Sequence, residues 1–202
     1  MLTDRSRAGS LYTAAGQRKY LTAAERGRFL EATLACERGE LRTLCLTLAY
    51  TGCRISEALA ITAAVIEREA GFIAIRSLKK RNRAVVIREV PVPADLLHAL
   101  DEVHGIDSPN GLLWPLSRCW AWQLVKGIMC AAGIPPGPHA TPKGLRHSFG
   151  IHAIRSGVPL NLVQRWLGHA SMTTTAIYLE AMGEEEREIA ARMWATPGAQ
   201  TT

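Results

Sequence analysis

The chain has 202 residues, of which 48% are hydrophobic and 21% charged, too apolar for a disordered protein and long enough for one compact core with tails. A formal charge of +6 suits a polyanionic partner without requiring one. No apolar run approaches the ~20 residues of a membrane span, the N-terminal segment holds no signal core, and Cys36, Cys45, Cys53, Cys119 and Cys130 show no paired short spacing, so the expectation is a cytoplasmic protein with buried, reduced thiols and neither disulfides nor a metal site.

Residues 1–20 are polar and basic, with Arg5, Arg7, Arg18 and Lys19, and read as a flexible arm. Thr22 and Glu25 form a capping box that opens a helix with Phe29, Leu30, Thr33 and Leu34 along its apolar stripe. A second helix, 41–50, follows the break at Gly39 and leads into TGCRISEALAI, where Arg54 and Glu57 stand three apart on a further helix, the carboxylate placed to orient the arginine. From Phe72 the period changes to two: Ile73 and Ile75 alternate with Ala74 and Arg76, and residues 85–92 are rich in β-branched side chains, so the segment reads as a β-hairpin. Its tip, KKRNR at 79–83, is a solvated turn on the plainest view.

Residues 93–104 read as a helix with Leu96, Leu97 and Leu100 inward. Residues 120–132 read as another, with Trp122, Val125, Met129 and Cys130 toward the core and Lys126 within reach of a phosphate. In 142–155, Leu145, Phe149 and Ala153 recur at helical spacing, while Lys143 and Arg146 lie one turn apart on another face. Pro159 opens the next helix and Gly168 stops it, Leu162, Val163, Trp166 and Leu167 forming the buried stripe, and His169 follows the stop. Ser171 caps a third piece that holds Tyr178 about two turns in. A last helix, 183–194, starts with Glu184, Glu185 and Glu186 and has Ile189, Ala190, Met193 and Trp194 on one side; residues 196–202 read as a frayed tail. The fold class is mainly α with one small antiparallel β-hairpin.

Taken singly these residues are unremarkable, since an Arg and a Glu three apart are usually a surface pair worth a few tenths of a kcal/mol, and a tyrosine in an apolar run is usually core. Together, TGxRxSE, then LRH, then LGH, then a tyrosine nine residues later resemble the active site of the tyrosine recombinases, the phage integrase family. The resemblance spans roughly residues 20–195, and implies a tyrosine recombinase catalytic domain at 21–195 that acts on double-stranded DNA with no metal and no cofactor. It further implies that Arg54 and Arg146 hold the non-bridging phosphate oxygens, His169 donates to a phosphate oxygen, and Tyr178 forms a 3′-phosphotyrosine bond. A hairpin lysine would protonate the leaving 5′ oxygen, assigned to Lys79 with Lys80 as the alternative. Lys80, Arg81, Arg83 and Lys126 are expected on DNA phosphates, and Glu57 behind Arg54.

The chain departs from the family pattern at Lys143, where the second box usually begins with histidine. A lysine near its ordinary pKa of about 10.4 donates a proton and does not accept one, which leaves the base unassigned. Related type IB topoisomerases resemble this variant in carrying lysine there. The resemblance also implies a further helical DNA-clamping domain, for which the first twenty residues leave no room; in size the chain is similar to the fimbrial phase-variation recombinases. The expected assembly is a tetramer on paired DNA sites through the last helix, in the cytoplasm with the nucleoid or a mobile element. Two alternatives stand beside the recombinase: a catalytically inactive DNA-binding relative, and a topoisomerase-like relaxing enzyme.

Overall fold

A computed structural model describes residues 10–77, 86–106 and 111–179. Helix α1 (Ala23–Leu34) starts on the capping box expected for it: Thr22 Oγ1 accepts the Glu25 N–H and Glu25 accepts the Thr22 N–H at 2.9 Å. Glu25 also takes a bidentate pair from Arg18, at 2.6 and 2.5 Å. That pair ties the preceding segment to the domain, so residues 10–20 are not a loose arm. They fold back on themselves through the Tyr12↔Arg18 bridge, Lys19 donates to the Ser10 carbonyl, and Leu11 is fully buried. The expectation of flexibility overlooked that Leu11 has an apolar partner far along the chain.

Helix α2 (Gly39–Thr51) is the central rod, packed by α1 and, among the described residues, by four later helices, with Leu41, Leu44, Cys45, Leu46, Leu48 and Ala49 buried around much of its circumference. Gly52 ends it in the left-handed conformation at φ 59°, and a Cβ there would fall 2.4 Å from the Phe149 ring, so both backbone and packing require glycine. Helix α3 (Ile55–Ala58) follows immediately.

Strands β1 (Ile66–Glu67), β2 (Phe72–Arg76) and β3 (Ile87–Pro91) form one antiparallel sheet in that order. The β2–β3 register sets Ile73 against Val90 and Ile75 against Arg88, which puts Ile73, Ile75, Val90 and also Arg88 on the buried face. The hairpin is as expected; its tip, with Lys79, Lys80, Arg81 and Arg83, lies outside the described residues, as does the expected helix at 183–194.

Helices α4 (Ala94–His104) and α5 (Arg118–Ala131) complete the large core. On α5 the buried stripe is Ala121, Val125, Ile128 and Met129, one step round from the expected one, so Trp122 is 41% exposed rather than buried and Cys130 is exposed. Cys119 is exposed as well, while Cys45 and Cys53 are buried, so the expectation of buried thiols holds for part of the set; all five cysteines are free. Helices α6 (Pro142–Arg155), α7 (Leu160–Leu167) and α8 (Met172–Ala176) enclose a second, smaller core of Leu11, Phe149, Ile151, Ala153, Ile154, Val163, Leu167 and Tyr178. Helix α6 belongs to both cores, through Leu145 to the large one and through Phe149 to the small one. Among the described residues no helix is long and apolar enough to cross a membrane.

Candidate active site

The seam between the two cores opens as a cleft of about 840 Å³. Lys19, Arg54, Arg118, Lys143 and Arg146 line it together with His147, His169 and Tyr178, and no Asp or Glu lines it among the described residues. Such a wall repels cations and favours an anion that spans several charges.

Each group is held by backbone geometry. Arg54 is the N-cap residue of α3, and Glu57, at the third position of that helix, reaches back to accept the Arg54 N–H at 2.9 Å and its Nη1 at 2.8 Å. Glu57 also accepts Arg88 Nη2 at 2.6 Å, in a pair whose side chains are 2% and 1% exposed. Burial pushes the Glu57 carboxyl up, but Arg88, the Arg54 N–H and the Arg54 charge outweigh it and hold the group below the usual carboxylate range. Glu57 therefore stays ionised and keeps one face of Arg54 engaged while the rest of that guanidinium faces the cleft.

The carbonyls at the C-terminal end of α7 lack helical partners, and two arginines supply them. Arg146 Nη2 donates to the Leu167 carbonyl at 2.6 Å and its Nη1 to the Gly52 carbonyl at 2.8 Å; Arg88 Nε donates to the Trp166 carbonyl at 2.6 Å and its Nη1 to Ser77 Oγ at 3.0 Å. Burial, then the Arg54 charge, lowers Arg146 to about 10, which leaves it protonated at neutral pH. Gly168 then turns the chain at φ 65°, and His169 emerges with Nδ1 2.9 Å from Thr175 Oγ1 and its ring stacked on Tyr178, centroids 6.2 Å apart at 23°. The ends of α2 and α7, the sheet and α3 are thus pinned together by two guanidiniums.

Tyr178 sits just after α8, fully buried against α6, where a Cβ at Gly150 would fall 2.5 Å from its ring. Its hydroxyl lies 3.3 Å from His147 Nδ1. Burial drives the phenol up to about 12, against the pull of Arg146 and Arg54. Burial also drives His147 to about 4, helped by Lys143, Arg146 and Lys19, and His169 to about 3, helped by Arg146 and Arg54. Both imidazoles are neutral at pH 7.

Of the residues expected from the sequence, Arg54, Glu57, Arg146, His169 and Tyr178 meet in or directly behind the cleft, and Lys143 stands exposed on its rim. Lys79 and Lys80 lie outside the described residues. Lys126 is turned to other work, donating to the Ala140 carbonyl at 2.9 Å with its ammonium 5.7 Å from the Trp122 ring centroid. His147 and Arg88 escaped the sequence reading: His147 stood in the LRH box as a plain neighbour of Arg146, and Arg88 was visible only as a charge in phase with inward Val90.

The model of the phage integrase family matches residues 19–185. The chain belongs to the phage integrase family. Within that family it is 36% identical over 159 residues to the tyrosine recombinase XerD of Mycobacterium tuberculosis (strain CDC 1551 / Oshkosh), across 71% of this chain and 49% of the relative. The chain thus spans about half the length of the curated relatives it matches. It superposes on the XerH site-specific recombinase bound to palindromic difH substrate, a post-cleavage complex, with a TM-score of 0.71 at 26% identity, covering 95% of this chain and 58% of that one. The catalytic domain of bacteriophage HP1 integrase shares the fold, with a TM-score of 0.64 at 19% identity over 91% of this chain and 98% of that one. The mainly helical fold with a small antiparallel sheet is that of the phage integrase catalytic domain.

Proposed function

We propose that the chain is a site-specific recombinase that cleaves and rejoins double-stranded DNA through a 3′-phosphotyrosine at Tyr178. The observation that carries this reading is the convergence of Tyr178, Arg54, Arg146 and His169 on one cleft lined, among the described residues, by cations and by no carboxylate. A phosphodiester seated there gains charge on its non-bridging oxygens as it becomes pentacoordinate, and fixed guanidiniums stabilise that charge without reorganising. Arg146, its position set by two backbone carbonyls, turns the remaining N–H groups of its fork to one oxygen, and Arg54, held by Glu57, serves the other. His169 donates through its second nitrogen while Thr175 engages the first. Lys79, or Lys80 beside it, protonates the leaving 5′ oxygen, and Lys143 adds an ammonium at the rim. The phosphotyrosine bond keeps the energy of the phosphodiester, so rejoining needs no nucleotide.

Incubation with a nicked duplex, from which the cleaved fragment diffuses away, tests this reading. A covalent protein–DNA adduct forms with wild-type protein and is absent with Tyr178→Phe; no adduct, or an adduct surviving that substitution, refutes it. The assembly that accompanies this function is a tetramer on paired sites joined through residues 183–194. Trp194→Glu then abolishes synapsis while single-site binding persists, and intact synapsis in that variant removes the C-terminal segment from the interface.

A further inference from the structure

The replacement of the family's usual histidine by Lys143 leaves the nucleophile without an evident base, and the cleft holds another imidazole at the right place. We propose that His147 is the proton acceptor for Tyr178: its Nδ1, 3.3 Å from the phenolic oxygen, takes the proton as that oxygen attacks phosphorus. This rests on the reading of Tyr178 as the nucleophile.

Three observations converge on it. Among the described residues, His147 is the hydrogen-bond partner of the Tyr178 hydroxyl. The other candidates are placed for other tasks: His169 stacks its ring face on Tyr178 and spends Nδ1 on Thr175, and Lys143 is a solvent-exposed cation. Finally, among the described residues the groups facing His147 are Lys19 from the N-terminal turn, Lys143 and Arg146 from its own helix, and His169 and Tyr178 from the segment after α7, so without DNA it faces cations and no carboxylate among them. Its Nε2 is buried with no hydrogen-bond partner among the described residues, so none of them stabilises an imidazolium at that end. The ring therefore waits neutral. A phosphodiester entering the cleft offsets the charges of Lys19, Lys143 and Arg146 and raises the proton affinity of the imidazole when the proton has to move.

The step balances with groups already named. The Tyr178 O–H bond breaks and the proton passes to Nδ1 of the Nε2–H tautomer, giving an imidazolium. The phenolic oxygen bonds to phosphorus, the bond from phosphorus to the 5′ oxygen breaks, and that oxygen takes the proton of the hairpin lysine. Rejoining runs in reverse: the 5′ hydroxyl attacks, returning its proton to the lysine, and the departing phenolate recovers its proton from His147.

Single-turnover adduct formation on the nicked duplex tests the assignment with His147→Ala and His147→Asn, the latter keeping a hydrogen-bonding amide near the ring position without its basicity. Both variants are expected to cleave about 10²-fold more slowly than wild type, the lower end of what a positioned base contributes. Incorporating 3-fluorotyrosine at position 178, a more acidic phenol that needs less help, is expected to restore part of the lost rate in both variants and to change wild type little. A variant that cleaves at the wild-type rate overturns the proposal, as does a slow variant that the fluorinated phenol does not improve, which would make His147 a packing residue. If His147→Ala fails to fold, His147→Asn alone decides on the same two readings. Failure of wild-type protein to form any adduct would instead overturn the recombinase reading.

Discussion

Arg88→Met removes the guanidinium that joins β3 to α3, to the end of β2 and to the end of α7. Its Nη2 lies 2.6 Å from a Glu57 oxygen, and the two side chains are 2% and 1% exposed, so the substitution leaves a buried carboxylate with Arg54 as its remaining cation among the described residues. Breaking a buried pair by deleting one partner costs about 3–5 kcal/mol, where an exposed pair would cost under about 1. For a chain of this size each kcal/mol moves the melting temperature by about 2–4 °C, so a fall of about 6–20 °C is expected in a thermal melt followed by circular dichroism near pH 7. The pH dependence has a definite sign. In wild type the Glu57 carboxyl is depressed, so its contribution is present above the unfolded value of about 4.3 and is lost as pH falls through the lower folded value. In Arg88→Met burial dominates and the folded value rises, so acidification toward about pH 4.5 relieves the variant and narrows its gap to wild type. A variant melting within about 2 °C of wild type at neutral pH, or a gap that widens on acidification, would refute the assignment of Arg88 as a structural pin.

Leu11→Ala should lower stability by about 2–5 kcal/mol, because Leu11 is fully buried in the core that also holds Tyr178; urea denaturation measures it, and an unchanged midpoint would detach residues 10–20 from the domain. Lys19→Ala and Arg118→Ala should each reduce the slope of log affinity against log salt by about 0.9 on duplex DNA, since both side chains line the cleft. Fluorescence anisotropy across a salt series reads this, and unchanged slopes would place both cations off the DNA path.

The parts of the fold written in local pattern were legible in the sequence. Thr22 and Glu25 announced α1, alternation announced the hairpin, and Pro142, Gly168 and Ser171 marked boundaries that the structure keeps. The four boxes named Arg54, Arg146, His169 and Tyr178 because each stands in a short run whose spacing survives without tertiary information. Pairings across sequence distance left no such trace. His147 meets Tyr178 across 31 positions, and Arg88 meets Glu57 across the same separation, so their roles depend on how α6 meets α8 and how the sheet meets α3. Trp122 was misplaced for a subtler reason: Trp122–Val125–Met129 and Ala121–Val125–Ile128 are both acceptable helical stripes, and only the neighbours of α5 select the second.

The proposed reaction bonds one particular tyrosine to DNA. The chain has four, Tyr12, Tyr20, Tyr50 and Tyr178, so the adduct can be digested with protease and nuclease and the modified residue identified by mass spectrometry. A 3′-nucleotide phosphodiester is expected on Tyr178 alone; a nucleotide on any other tyrosine, or linkage through a 5′ phosphate, would contradict the assignment of Tyr178 as the nucleophile.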